Sequence, residues 1–167
     1  MSTQISYKEF LEDFRNTVVS AKARLQTIPE TQSSQKTAPD NWSAKETIGH
    51  LIDSATNNHQ RFVRAQFTDD LVFPGYVQDQ WVSSQDYQNE SWAELIQLWS
   101  SYNLHLVHVA SAIPEDVLIK PRLHHTLDQI AFNLVDKSDP ATLEYLIRDY
   151  LDHLRHHLDQ IFAEVTK

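Results

Sequence analysis

Two histidines near the carboxyl end of the chain have the spacing of a metal-binding pair. Three of the nine histidines, His153, His156 and His157, lie within one five-residue stretch. On a helix, His153 and His157 lie on one face, one turn apart, because residues four apart are neighbours. Two imidazoles in this arrangement can hold one metal ion between them. The pair therefore predicts a metal site if the rest of the chain supplies a third ligand, although surface helices also carry such pairs by chance.

The pattern of apolar residues around these histidines predicts a helix over about residues 141–165. Its apolar stripe consists of Leu143, Leu146, Ile147, Tyr150, Leu154, Leu158, Ile161 and Val165. On the helical wheel, His153 and His157 flank that stripe, whereas His156 points away from it. The periodicity therefore selects His153 and His157 as the inward pair.

Three further amphipathic segments predict the other helices of an antiparallel four-helix bundle. Apolar residues at three- and four-residue spacing indicate helices over residues 6–28, 42–67 and 91–112. Each begins with a capping box, formed by Ser6 and Glu9, Ser43 and Glu46, and Ser91 and Glu94. With only two glycines, long helices are favoured over a fold of many tight turns. We expect one all-α domain spanning residues 1–167.

The connections between the second and third helices and between the third and fourth helices are long. Residues 68–90 carry four aromatic residues, Phe73, Tyr76, Trp81 and Tyr87. Connections of this length are usually functional, so we expect this one to fold back over one end of the domain. Residues 30–41 are predicted to form a polar loop. Residues 115–139 are predicted to be either extended chain or a small helical insert.

The second predicted helix carries a chemically varied face opposite its apolar stripe. His50 opens this face, and Asp53, Asn57 and Arg61 continue it. His50 is the leading candidate for a third metal ligand. The alternatives are ordinary surface roles: a histidine that binds nothing, a solvated Asp53 carboxylate, and an Arg61 that pairs with a surface acid.

The remaining histidines are weaker candidates. His59 falls inside the apolar stripe, where a hydrogen-bonded core histidine is the simpler interpretation. His124 and His125 could reach the site as loop ligands, although no spacing requires it. His105 and His108 have no partner at a convincing spacing.

Three segments, taken in order, resemble the DinB-like superfamily of metalloenzymes. They are residues 42–54 (WSAKETIGHLIDS), 74–81 (PGYVQDQW) and 150–161 (YLDHLRHHLDQI). The second segment is similar to a loop of the metal-dependent hydrolase branch of that superfamily. The resemblance follows the order and spacing of the helices across most of the chain and is weakest over residues 115–139.

This resemblance implies a four-helix bundle of unusual handedness with a divalent metal, zinc or nickel, held by His50, His153 and His157. It implies hydrolysis of a small-molecule substrate by metal-activated water. The alternative activity is that of an S-transferase or isomerase that uses a low-molecular-weight thiol as cosubstrate. Such a thiol would bind well to a metal of this kind. Members of the superfamily often dimerise, so a homodimer is also expected.

The polar face of the second helix suggests the further parts of such a site. Asp53 could orient a ligand imidazole or act as a catalytic base. Asn57 and Arg61 could bind an anionic group of the substrate. We expect the substrate pocket to be formed by Asn57, Arg61, Tyr76, Trp81 and Tyr150.

Composition excludes several other classes of function. The net charge of −9 argues against nucleic-acid binding, and no apolar run approaches the roughly 20 residues of a membrane span. The absence of cysteine removes disulfides, thiolate metal sites and a cysteine nucleophile. Without a visible secretory signal, a cytoplasmic location is the expectation.

Two hypotheses compete with a metal-dependent enzyme. One is a non-catalytic helical scaffold with an empty site, and the other is a helical dimer partner for another protein.

Overall fold

The computed structural model describes residues 5–165 and confirms the all-α four-helix bundle with long connections. The helices are α1 (Tyr7–Leu25), α2 (Glu30–Ser33), α3 (Ala44–Arg64), α4 (Gln78–Gln85), α5 (Trp92–Ser111), α6 (Glu115–Leu118), α7 (Leu127–Ile130) and α8 (Leu143–Val165), with a 3₁₀ turn at Tyr87–Asn89. The four long helices α1, α3, α5 and α8 form the bundle. Within residues 5–165 the only β-type pairings are two isolated bridges, and no helix has the length and apolarity to cross a membrane.

Local sequence determines where the long helices begin. Complete capping boxes start α1 at Ser6 and α3 at Ser43. Ser91 caps α5 by accepting a hydrogen bond from the Glu94 amide. A side-chain oxygen at this position satisfies an amide that has no partner inside the helix. Three of the four helix starts are therefore encoded locally and position the residues that follow.

The helices that neighbour each other around the bundle are α1 and α5, α5 and α3, α3 and α8, and α8 and α1. Consecutive long helices α1 and α3 therefore lie diagonally across the bundle, as do α5 and α8. α3 and α8 run antiparallel, because Phe62 meets Tyr150 while His50 meets His157. The N-terminal half of α3, which carries His50, therefore lies beside the C-terminal half of α8, which carries His153 and His157.

The arrangement corrects the expectation that neighbouring helices are all antiparallel, because α3 and α5 run parallel. Lys45, near the start of α3, donates a hydrogen bond to the carbonyl of Glu90, just before α5. Further along both helices, His59 contacts Tyr102. The connection over residues 65–91 returns the chain to the end where α3 began, and an extended chain of about 3.3 Å per residue easily spans such a helix.

The two long connections pair with each other over one side of the bundle. Leu71 forms a parallel bridge with His125: its amide donates to the His124 carbonyl and its carbonyl accepts from the Thr126 amide. Phe73 and Tyr87 are buried, as their aromatic character suggested. We call the paired segments, residues 71–78 and 125–133, the roof.

The core contains most of the predicted stripes, including the fully buried Phe14 and Trp99. The periodicity of the second and third predicted helices also places Val63 and Leu98 in their apolar stripes. Val63 is 37% exposed and Leu98 is 47% exposed, so these two side chains lie outside the core. The expected polar loop over residues 30–41 contains the short helix α2. Residues 115–139 contain α6 and α7, which corresponds to the helical alternative for this segment.

Candidate metal centre

Helix α3 is buried on two sides, which explains why its polar face does not meet solvent. One side packs on α5, and the other is covered by α8, the roof, α4 and the 3₁₀ turn. His50, Asp53 and Arg61 are consequently only 0%, 2% and 6% exposed. The polar face is therefore the wall of an internal site.

Three histidines meet between α3 and α8. The Nε2 atoms of His50 and His153 are 3.2 Å apart. With His157, one ring nitrogen from each residue lies within 4.8 Å of the others. Within the described part of the chain, residues 5–165, no other three histidine or acidic side chains meet in this way. The structure thus brings together the three residues predicted from the sequence and the resemblance, and we call them the His50 cluster.

The geometry of the His50 cluster fits a divalent metal. Two nitrogens that bind one tetrahedral zinc ion at its usual bond length are about 3.3 Å apart, close to the observed separation. His153 Nδ1 lies 3.4 Å from Ser54 Oγ, and His157 Nδ1 lies 2.8 Å from Gln160 Oε1. These outward contacts leave the Nε2 atoms available for an ion, as outer hydrogen bonds do in histidine metal sites. An all-imidazole set suits zinc or nickel.

Burial also keeps these imidazoles in the protonation state that metals require. Desolvation, with the neighbouring His157, lowers the pKa of His50 to about 3. Desolvation and the neighbouring histidines lower the pKa of His153 to about 3 as well. Burial lowers the pKa of His157, with its bond to Gln160 acting in the opposite direction. All three rings are therefore neutral near pH 7 and can donate a lone pair.

An aromatic side chain closes one side of the His50 cluster. The ring of Trp42 lies 4.9 Å from that of His50 and 6.4 Å from that of His157, measured between centroids. Trp42 precedes the N-cap of α3, a position from which an apolar side chain often packs back onto the helix. The structure shows that the packing partners include two of the three histidines.

Asp53 lies one turn beyond His50 and is held by one of its two oxygens. Oδ1 accepts hydrogen bonds from the Tyr87 hydroxyl and the Gln85 amide, each at 2.7 Å. Oδ2 is buried and has no hydrogen-bond partner among residues 5–165. Burial raises the pKa of Asp53, and the two hydrogen bonds partly oppose that rise.

The contact between Tyr87 and Asp53 depends on the glycine at position 49. The Tyr87 ring lies directly against Gly49, and a Cβ atom at this position would overlap the ring. Gly49 therefore provides the close approach through which the 3₁₀ turn reaches the polar face of α3.

A cavity of about 270 Å³ opens beside His153, between α3, α8 and the roof. The residues that line it include Ser54, Asn58, Arg61, Tyr76, Tyr150 and Asp149. Part of its wall, Gln129–Phe132, comes from the second long connection. The roof therefore has two halves, whereas the sequence indicated a covering role only for the first connection, residues 68–90.

The predicted pocket residues occupy different places relative to this cavity. Arg61, Tyr76 and Tyr150 line it, although the Tyr150 hydroxyl turns away to donate to Asn103. Trp81 is 38% exposed and packs on Tyr76 with ring centroids 4.9 Å apart. Asn57 lines a neighbouring depression, and the adjacent Asn58 faces the cavity in its place.

Asp149 is a cavity residue that the sequence reasoning missed. Its carboxylate accepts hydrogen bonds from the amides of Phe132 and Asn133 and from the Asn133 side chain. It therefore ties the second half of the roof to α8. The sequence could have indicated this residue, because Asp149 lies four positions before His153 and that spacing places both on one face of the helix.

The remaining histidines have other roles. His125 is buried: its Nδ1 accepts the Leu127 amide hydrogen, and its Nε2 donates to the Asp139 carbonyl. These bonds shape the roof and occupy both ring nitrogens. His59 is half-buried and contacts the Tyr102 hydroxyl at 2.9 Å. His156 is exposed, as the helical wheel predicted.

Comparison with known proteins agrees with this fold. The model of the DinB superfamily matches residues 14–161. The structure is similar to that of YfiT from Bacillus subtilis, described as a probable metal-dependent hydrolase with an unusual four-helix bundle topology. The two share a TM-score of 0.72 at 16% identity, over 98% of this chain and 90% of that one. No curated protein matches the chain significantly. Because the superfamily model covers most of its length, the chain belongs to the DinB superfamily.

Proposed function

We propose that this protein is a metal-dependent hydrolase of a small molecule, with zinc or nickel held by His50, His153 and His157. The observation that carries the proposal is the convergence of these three neutral, largely buried imidazoles beside a cavity. The similar fold of YfiT, which is described as a probable metal-dependent hydrolase, supports it.

The three histidines leave a bound ion with its full charge, because neutral imidazoles add none. Such an ion supplies the activation of water near neutral pH. His50, His153 and His157 would supply three protein ligands, the number usual in catalytic zinc sites. The cavity beside His153 gives a substrate access to that side of the site.

Asp53 is proposed as the catalytic base. Tyr87 and Gln85 hold its Oδ1, so the carboxylate has a defined orientation, while Oδ2 is left without a partner among residues 5–165. A buried carboxylate with a raised pKa is suited to take a proton from water and pass it on.

The first experiment identifies the ion and the reaction. Protein made without a histidine tag is crystallised, and anomalous scattering is measured across the zinc and nickel edges. We expect a peak between His50, His153 and His157. The same protein, reloaded with the identified metal, is then tested against small esters and amides, with and without a small thiol.

A base variant separates catalysis from metal binding. We expect Asp53→Asn to keep its metal and to lose about 100-fold or more in hydrolysis, whereas Asp159→Asn, an exposed acid on α8, keeps both. Turnover only in the presence of thiol would assign S-transfer instead. Absence of bound metal at saturating zinc and nickel, in wild type and His153→Ala alike, would favour the scaffold hypothesis.

A further inference from the structure

Arg61 is a buried cation without an acidic partner. Only 6% of the residue is exposed, and within residues 5–165 no carboxylate oxygen lies within 4.0 Å of its guanidinium. Its hydrogen bonds go to neutral oxygens: Asn58 Oδ1 at 3.4 Å and the Pro74 carbonyl at 3.2 Å. Removing a charge from water is unfavourable unless that charge is paired or well hydrogen-bonded.

Two other buried cations show how this chain usually satisfies such groups. Lys45 pairs with Glu30 and also donates to the Glu90 carbonyl. Arg122 donates to the carbonyls of Ala65, Val117 and Lys120, and it lines none of the cavities described above. Arg61 has fewer acceptors than Arg122 and faces a cavity.

The neighbours of Arg61 in the cavity add donors and little free negative charge. Asp149 is the acid in the lining, and both of its oxygens accept hydrogen bonds from residues 132–133. Burial, followed by the nearby Asp53, raises the pKa of Tyr76 to about 12, so its hydroxyl remains a donor at neutral pH. The cavity is thus lined by a guanidinium, by neutral hydrogen-bond donors and by His153 of the His50 cluster.

We propose that Arg61 binds an oxyanion group, a carboxylate or a phosphate, of the substrate. The description of this anion as part of a substrate rests on the hydrolase function proposed above. A planar guanidinium matches the two oxygens of such a group. With Arg61 and His153 lining one cavity of about 270 Å³, the ligand is a small anionic molecule whose reacting group lies at the histidines.

The test measures binding of simple anions to metal-free protein, so that a bound ion cannot contribute. Chelated, tag-free protein is titrated separately with inorganic phosphate and with acetate at constant ionic strength, and binding is followed by NMR. We expect saturable binding of at least one anion, and the tighter one identifies the group. Arg61→Gln weakens that binding by about 10-fold or more.

Two variants provide the controls. Arg15→Gln removes an exposed arginine of α1 that lines neither the cavity nor the neighbouring depression, and it leaves anion binding unchanged. Arg61→Lys keeps the positive charge but lacks the planar guanidinium with its paired N–H donors, so we expect it to bind the anion more weakly than wild type does. If circular dichroism shows that Arg61→Gln is unfolded, the lysine variant decides: weaker binding supports the proposal, and equal binding overturns it. No saturable binding of either anion by wild type also overturns it.

Metal content separates this inference from the proposed function. We expect both Arg61 variants to keep one metal ion per chain after reloading, because Arg61 is not a ligand. Loss of anion binding in metal-competent protein supports the Arg61 site alone. Anion binding by a wild-type protein that takes up no metal would contradict the hydrolase proposal and retain Arg61 as an oxyanion site.

Discussion

Two groups of three histidines lie between α3 and a neighbouring helix, and only one has the geometry of a metal centre. The first is the His50 cluster, between α3 and α8. The second, which we call the His59 cluster, consists of His59 on α3 with His105 and His108 on α5. Its ring centroids are 5.2 Å apart for His59 and His105, and 6.3 Å apart for His105 and His108. In the His50 cluster, all three rings are mutually 4.7 to 5.2 Å apart.

The difference between the clusters lies in burial and in the direction of the ring nitrogens. His105 and His108 are exposed, and His59 uses one nitrogen on the Tyr102 hydroxyl. In the His50 cluster, one ring nitrogen of each histidine lies within 4.8 Å of the others, and outer hydrogen bonds orient His153 and His157. A count of histidines at helical spacing therefore does not by itself identify a metal site.

The largest expected effect is on metal content. His153→Ala should lower zinc affinity by about 100-fold or more, because it would remove one of the three proposed ligands. Loss of a ligand costs more than loss of an outer hydrogen bond to that ligand. The matched variant His105→Ala should leave affinity unchanged. Both are measured by titration of tag-free protein against a competing chelator. Equal losses in the two variants would remove the distinction between the clusters.

The next effect concerns the pH dependence of stability in metal-free protein. The pKa values of His50 and His153 are lowered to about 3, from 6.5 for an ordinary histidine. The unfolded state therefore takes up protons that the folded state excludes. Stability from these groups is present above pH 6.5 and is lost progressively as the pH falls toward about 3.

Urea unfolding of metal-free protein at a series of pH values between about 7.5 and 5 checks this. His153→Ala should make the decline shallower. Burial also lowers the pKa of His59, so His59→Ala should act in the same direction. Its effect should be smaller, since the pKa of His59 is lowered less than that of His153. A decline that neither variant alters would contradict the role given to burial.

A smaller effect is expected at the glycine that lets Tyr87 reach Asp53. Gly49→Ala places a methyl group inside the Tyr87 ring contact, so we expect a loss of about 1–3 kcal/mol in unfolding free energy. Gly75→Ala is the control: its Cβ would lie 3.7 Å from Ile130, an ordinary contact. Chemical denaturation measures both. Equal stability of the two variants would mean that the Tyr87 ring can move away without cost.

The smallest effect should come from Ser54, whose Oγ lies 3.4 Å from His153 Nδ1. Ser54→Ala should weaken metal binding by about 10-fold through poorer orientation of that ring. Ser100→Ala removes another buried hydroxyl, one that donates to the Gln97 carbonyl on α5. We expect it to leave zinc affinity unchanged in the same chelator competition. If both variants weakened zinc binding to a similar extent, the effect would come from reduced packing of the bundle and not from the contact between Ser54 and His153.

Sequence reasoning predicted those parts of the candidate site that depend on one helix. His153 and His157 follow from periodicity on α8. The assignment of His50 needed the family resemblance, because its own helix placed it opposite the apolar stripe. Its burial is a tertiary effect, produced when α8 and the roof cover the second face of α3.

The missed parts depend on contacts between distant segments. α6 and α7 have four residues each, too few for a helical period to be recognised. The second half of the roof is held by backbone amides that donate to Asp149, and backbone amides leave no mark on the sequence. The parallel direction of α3 and α5 likewise follows from the path of residues 65–91.

The bridge between Leu71 and His125 links the two long connections, so their sequences are expected to change together, both in evolution and in protein engineering. A change of length in one segment would shift the backbone pairing of the other, so successful exchanges between related bundles must transfer both together. The helices carry the histidines, and the paired segments supply much of the cavity wall. We therefore expect replacement of this pair to alter the substrate preference of the proposed hydrolase while the His50 cluster on the helices stays in place.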